Sequence, residues 1–312
     1  MSPDHPLSHL FRRRRSDPAE FVKQKRGRRK RQDDQPPPRA LIRCFADFHT
    51  IREYDKTDTI WKQDVFFYFT KADEVFWSCT KRPFRRLAGW KGALKRIPDH
   101  TIYPRAPKSA HLTIAPEDAV AINPELFHVK RPNFWFYEEH PNLPWRWQLL
   151  LAETFVLEAL AGSKAQLPPH PNIIRYHGCR VYRGYITAIV LERLEYNLDQ
   201  YVKEVGSRMI DKQSFLAKVR SAVDYMHSLG LAHNDIKPTN IMVREIPDGP
   251  PEPVLVDFGS CAPFGCRVWD GGTPGWYEED FNTSAKTHDT YSLGKLEEWL
   301  DKLETAGSKE ES

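Results

Sequence analysis

His233-Asn234-Asp235-Ile236-Lys237-Pro238-Thr239-Asn240 decides the reading of this chain, together with Asp257-Phe258-Gly259, which begins seventeen positions after Asn240. A carboxylate, an ammonium two residues on and an amide five residues on can all face one polyphosphate and metal site. There the carboxylate orients a nucleophilic hydroxyl and accepts its proton, and the ammonium neutralises charge on the transferring phosphoryl. The amide oxygen ligates a divalent ion, and Asp257 supplies a second ligand. Ile241-Met242-Val243, a turn with Pro247, Asp248 and Gly249, and Val254-Leu255-Val256 lie between the two motifs. They predict a β-hairpin that presents both metal ligands at its mouth.

The chain on either side supports this centre. Phe215, Leu216, Val219, Val223, Met226 and Leu229 recur at helical spacing and predict a buried helix that leads into the loop, ended by Gly230. Further back, Tyr185 to Leu191 is an apolar, β-rich run, and Leu198 and Tyr201 open a short helix. Glu153, Leu157 and Leu160 share a helical spacing. Downstream, Leu293, Leu296, Leu300 and Leu303 continue a helix to about Glu304.

The loop, the hairpin and Asp-Phe-Gly resemble the eukaryotic protein kinases, over about residues 100–304. The resemblance implies a two-lobed α+β fold, with an N-lobe over 100–191 and a partial C-lobe over 192–304. It also implies ATP and Mg²⁺ as cofactors and phosphoryl transfer to Ser/Thr of a protein substrate. Asp235 would be the base, Lys237 the charge stabiliser, and Asn240 and Asp257 the metal ligands. Phe127-His128-Val129-Lys130 has the form of the strand whose lysine meets ATP's phosphates, with Glu153 holding that lysine and Glu158 as rival. His170-Pro171-Asn172-Ile173 follows the same helix in many kinases. Glu192-Arg193-Leu194 looks like the hinge, so Leu191 would be the gatekeeper, the backbone of Glu192 and Leu194 would bond adenine, and Met242 would form the floor beneath it. Gly271-Gly272-Thr273-Pro274-Gly275-Trp276 resembles the segment whose threonine bonds the catalytic Asp and Lys, which points to serine/threonine acceptors. Asp289-Thr290-Tyr291-Ser292-Leu293-Gly294 resembles the start of the helix whose Asp holds the catalytic loop's backbone.

Three features depart from that family. No glycine occurs between Ala93 and Ala161, so the Gly-rich loop whose amides approach phosphates is absent, and the N-lobe is a reduced one. His128 also stands where a small residue normally roofs adenine. Asn234 replaces the arginine of His-Arg-Asp, which removes a docking cation for a phosphorylated activation segment. The later C-lobe helices and Ala-Pro-Glu are missing, which gives the expectation of a truncated C-lobe and of a protein partner that covers it. The combination is similar to a group of divergent kinase-like proteins of filamentous fungi. Two other readings stand beside the enzyme: a pseudokinase that acts as a binding or scaffold module, and a small-molecule kinase.

Composition bounds the rest. Residues 12–31 carry eleven Lys/Arg against Asp17 and Glu20, a local net of +9, so the formal +4 of the chain leaves about −5 for the remainder. Residues 1–40, with Gln35-Pro36-Pro37-Pro38, read as a disordered basic tail. Its two clusters resemble a bipartite nuclear-import signal. They equally suit weak binding to nucleic acid or acidic lipid, or a merely solvated tail. Residues 305–312 read as a disordered end. No run approaches the length of a membrane span, and five scattered cysteines suit a reducing compartment, cytoplasmic and/or nuclear. Cys261 and Cys266, just past the Asp-Phe-Gly, read as two free thiols on a loop, with a redox switch as the alternative. Residues 41–99 form an aromatic-rich extension of unassigned fold. Within it Asp64 to Thr70 and Glu74 to Thr80 predict strands joined by Lys71-Ala72-Asp73, their alternating aromatics packing a sheet.

Overall fold

The computed structural model describes residues 7–8, 42, 48–54, 61–80, 89, 93–116, 123–132, 134, 145–162, 168–207, 209–268 and 271–307, without the side chains of 51–54, 61, 145–146 and 304–307. Of the tail expected over 1–40 only Leu7 and Ser8 are described; both are buried, Leu7 in the main core. The end expected to be disordered from residue 305 is helical over 305–307, which still belong to the last helix; residues 308–312 lie outside the described set.

The extension is a four-stranded antiparallel sheet, β1 (His49–Tyr54), β2 (Trp61–Phe69), β3 (Val75–Thr80) and β4 (Lys95–Ile97), paired in sequence order. Its aromatic alternation works on both faces, as strand geometry requires. Val65, Phe67, Val75 and Ile97 join the main core, whereas Phe66, Tyr68 and Phe76 close a smaller core with Ile42, Phe48 and Leu94. The sheet is therefore packed into the lobe that follows, after the one-turn helix α1 (Asp99–Ile102).

That lobe has a second antiparallel sheet, ordered β5-β7-β6, from β5 (Phe127–Lys130), β6 (Tyr176–Tyr182) and β7 (Tyr185–Glu192), with helix α2 (Trp145–Leu160) against it. Residues 104–115 run along the β6–β7 hairpin, where Cys179 N donates to Thr113 O and Ala115 N to Cys179 O. Gly178 is required there: φ is +116° and a Cβ would meet Ala115 N at 2.6 Å. Among the described residues no strand pairs with the second edge of β5.

The other lobe begins with β8 (Tyr196–Asn197) and α3 (Leu198–Glu204), whose Asn197 and Gln200 exchange side-chain to backbone bonds as a capping box. In α4 (Lys212–Ser228), Asp211 caps the N-terminus, Phe215, Leu216, Val219, Val223 and Met226 are buried, and Gly230 at φ +75° turns the chain away. Short β9 (Leu231–Ala232) leads into the loop; β10 (Ile241–Arg244) and β11 (Glu252–Leu255) form the expected hairpin, and β12 (Ala262–Pro263) returns to pair with β9. Helix α5 (Lys286–Gly307) closes the lobe with Leu293, Leu296 and Leu300 buried. The architecture is a two-lobed α+β fold. Among the described residues no helix is long and apolar enough to cross a membrane.

Candidate active site

The loop after β9 is fixed from beneath. Asp289, wholly buried in the first turn of α5, accepts from His233 N at 2.9 Å and Asn234 N at 2.8 Å, and its Oδ2 lies 2.8 Å from His227 Nε2. Two backbone donors on one buried carboxylate leave the loop little freedom. Asn234 sits at φ +64°, a conformation asparagine tolerates. Its Nδ2 lies within 3.0 Å of Ala232 O, Ser260 O and Ser284 Oγ, and its Oδ1 is 3.1 Å from His288 Nδ1. One short side chain thus ties the loop to the segment after Asp-Phe-Gly and to the start of α5. The sequence flagged Asn234 as a missing arginine and missed this role; its only signal was a left-handed-tolerant residue at a sharp turn.

Above this base the Asp235 carboxylate collects three side chains. Lys237 Nζ donates to Oδ2 at 2.7 Å, Asn240 Nδ2 to Oδ2 at 2.9 Å, and Thr273 Oγ1 to Oδ1 at 2.7 Å. Asn240 Nδ2 also reaches Asp235 O at 2.8 Å. With its nitrogen spent on Asp235, Asn240 keeps its amide oxygen as the atom that could ligate a metal. A 3-10 turn over Pro238–Asn240 makes this closure, and Val256 N donates to Asn240 O at 3.0 Å, bringing Asp257 to the same mouth.

The other half of the site converges from three elements. Lys130 Nζ, at the end of β5, lies 2.6 Å from Glu153 Oε1 on α2 and 2.8 Å from Asp257 Oδ1. Glu153 Oε1 also accepts from Phe258 N at 3.2 Å, which welds α2 to the Asp-Phe-Gly. Glu158 is occupied elsewhere, by Thr113 and Tyr176. Burial works against the Lys130 charge, but the Glu153 and Asp257 carboxylates outweigh it and hold the ammonium protonated well above the ordinary lysine range. The Lys130 charge in turn pulls the Asp257 carboxyl down to about 2. Burial raises the Glu153 carboxyl, against the pull of Lys130.

The expected base pocket is framed by β7. Leu191 is buried opposite His128, and Met242 is half-buried between Val254 and Asn197. His128 and Lys130 share one face of β5, as residues two apart on a strand must. The Glu192 part of the hinge expectation narrows, because its N–H donates to Arg175 O at 3.0 Å and Arg193 N donates to Leu126 O at 2.9 Å. Leu194, two residues on, makes no such backbone bond among the described residues.

Residues 151–276 match the protein kinase domain family. The chain is 32% identical over 122 residues to the serine/threonine-protein kinase/endoribonuclease IRE1 of Hypocrea jecorina, covering 34% of this chain and 10% of that protein. It is 31% identical over 116 residues to a probable serine/threonine-protein kinase of fowlpox virus, 36% of this chain and 37% of that one. Against the human serine/threonine-protein kinase/endoribonuclease IRE2 the identity is 31% over 118 residues, 34% and 12% of the two chains. This chain spans from a tenth to just over a third of the length of these relatives. Residues 151–276 thus match the protein kinase domain family, and the two-lobed α+β fold that holds them agrees with a kinase-like domain.

Proposed function

We propose that the domain transfers the γ-phosphoryl group of ATP to a serine or threonine hydroxyl of a protein. The observation that carries this reading is the 2.6 Å pair between Lys130 and Glu153, with Asp257 on the same ammonium. That pairing joins three elements which have to meet before a kinase can act. Lys130 would grip the α and β phosphates. Asp235 would orient the acceptor hydroxyl and take its proton as the hydroxyl oxygen bonds the γ-phosphorus and the bond to the β–γ bridging oxygen breaks, releasing ADP. Lys237 would offset charge on the phosphoryl in transit. Its shared contact with Thr273 on the Asp235 carboxylate favours a protein hydroxyl acceptor over a small molecule.

The donor set fits Mg²⁺. Asp257 stays anionic at any physiological pH and Asn240 offers an amide oxygen, two hard ligands of the kind that share an ion with phosphate oxygens. Bound there, the ion would neutralise phosphate charge.

A second reading is a nucleotide-binding module without catalysis, favoured by the lack of a described strand on the outer edge of β5 and of any glycine between Ala93 and Ala161. Single-turnover transfer to a generic Ser/Thr substrate, beside a Mg·ATP titration, separates the two. The kinase reading requires transfer above the Asp235→Asn background; binding without transfer gives the module. The basic tail would carry nuclear entry or attachment to polyanions. Unchanged localisation on deleting residues 1–35 would leave it as solvated chain.

A further inference from the structure

We infer that the sheet β1–β4, outside the matched kinase region, positions Lys130 through Asp73 and Arg131. Asp73 stands at the tip of the β2–β3 hairpin, at φ +53° and wholly buried. Its Oδ1 takes Arg131 Nε at 3.1 Å and Nη2 at 2.9 Å. Arg180 Nη1 lies 3.4 Å from both oxygens, and Thr187 Oγ1 donates to Oδ2 at 3.0 Å. Arg131 directly follows β5, Arg180 lies on β6 and Thr187 on β7. One carboxylate therefore ties all three strands of the small sheet together, at the end where Lys130 emerges.

This tie matters because β5 has four residues and, among the described residues, one partner strand. Successive side chains leave a strand on opposite faces. Lys130 turns to Glu153 and Asp257 while Arg131, one residue on, turns back to Asp73. The Arg131 guanidinium also lies 4.8 Å from the centre of the Phe69 ring on β2, and Phe134 packs 4.9 Å from Phe67. The exit of β5 is thus fixed to the extension by charge and by ring contact. Arg183 makes a second attachment, to Asp99 Oδ2 at 2.6 Å, Ala72 O at 2.6 Å and the backbone oxygen of Asp73 at 3.4 Å, which touches neither the Asp73 carboxylate nor β5 nor Lys130.

The test compares Arg131→Gln with Arg183→Gln in the full chain. Asp73 keeps Arg180 and Thr187 in the first, so the hairpin stays docked. Lys130 acylation by an amine-reactive anhydride, read by mass spectrometry, reports how firmly its carboxylates hold it, whether or not nucleotide binds. Mg·ATP titration is the second readout and rests on the proposed function. Arg131→Gln should speed Lys130 acylation and weaken Mg·ATP binding by roughly two- to thirty-fold, the span of such couplings, and Arg131→Lys should restore most of both. Arg183→Gln should lower the melting temperature without moving Lys130. Faster acylation in Arg131→Gln alone, from a wild type that binds no nucleotide, upholds the positioning role and removes the kinase reading. Equal Lys130 reactivity in both variants, or a change that merely follows the melting temperature, overturns the inference.

Discussion

The two carboxylate-and-lysine centres of this site are held in unlike ways. The side chains on Asp235 come from 2, 5 and 38 positions away, all in the same lobe. Those on Lys130, a strand residue, come from 23 and 127 positions away, one on helix α2 and one in the other lobe. The first centre is mostly one loop, seated on one buried aspartate and closed by Thr273 from the same lobe. The second exists only when a strand, a helix and the Asp-Phe-Gly meet, and so it is where the two lobes report on each other. Perturbing one centre should leave the other largely intact.

Asp235→Asn is the largest break. Loss of a positioned general base lowers rate by roughly 10² to 10⁴-fold. If the proposed kinase function holds, transfer should fall by that much while Mg·ATP affinity and Lys130 reactivity stay at wild-type levels, because Asp235 contacts Lys237, Asn240 and Thr273 but neither Lys130 nor Glu153. A parallel fall in affinity would show that the centres are one unit.

Glu153→Ala attacks the other side. It empties a buried position that holds both Lys130 Nζ and Phe258 N. Removing one partner of a buried pair should cost about 3 kcal/mol in denaturant unfolding, and Mg·ATP binding should weaken with it. Glu158→Ala, on the same helix but bonded to Thr113 and Tyr176, should cost stability without moving Lys130. Equal effects of the two on Lys130 would make the helix, rather than the pair, the active element.

These distances also explain what the sequence could and could not say. Asp235, Lys237 and Asn240 lie in one loop, so their spacing already encodes their meeting, and the hairpin over 241–255 formed as its turn residues require. Lys130 and Glu153 could be matched because chain order and helical spacing survive in sequence, and the choice against Glu158 rested on that spacing. Asp73 could not be found. In sequence it is a turn residue between two strands, indistinguishable from a solvated one, and its arginines lie 58 and 107 positions downstream. The extension was likewise legible as a hairpin but not as a wall of the core, because β1 and β4 carry no pattern that names their partner. Glu192 shows the converse limit. A residue's place in a motif is visible in sequence, but the use of its N–H is a tertiary matter.

Asn234→Gly sharpens the comparison from the loop side. Glycine accepts the φ of +64° at that position, so the variant removes side-chain bonds without adding backbone strain. Loss of the contacts to Ala232, Ser260, Ser284 and His288 should cost about 1–2 kcal/mol. Amide exchange should quicken over 260–268 and 282–288 and stay unchanged in β5 and α2. Phosphatase treatment of the wild type should leave that protection in place, since a neutral amide, not a phosphate, closes the segment. Loss of protection on treatment would restore a phosphorylation switch.

The smallest effect is the titration of Asp257. Its carboxyl is held at about 2, chiefly by the Lys130 charge, against an ordinary value of 3.8. For an acid whose folded value is depressed, the folded state binds fewer protons, so its contribution to stability is complete above 3.8 and disappears as pH falls through about 2. Lys130 works at the other extreme. Its folded value is raised, so its share persists below 10.5 and is lost only above that, which leaves the pair intact across the physiological range. The Asp257 side chain is 52% exposed, so solvent and salt screen the pair and the gain is modest. Carboxyl-carbon NMR of the nucleotide-free chain should find Asp257 titrating near 2 at low salt and moving toward 3.8 as salt rises or when Lys130 is replaced by Met. An unshifted carboxyl at low salt would mean that Lys130 holds Glu153 alone. The meeting of the two lobes would then rest on the Glu153 bond to Phe258 N.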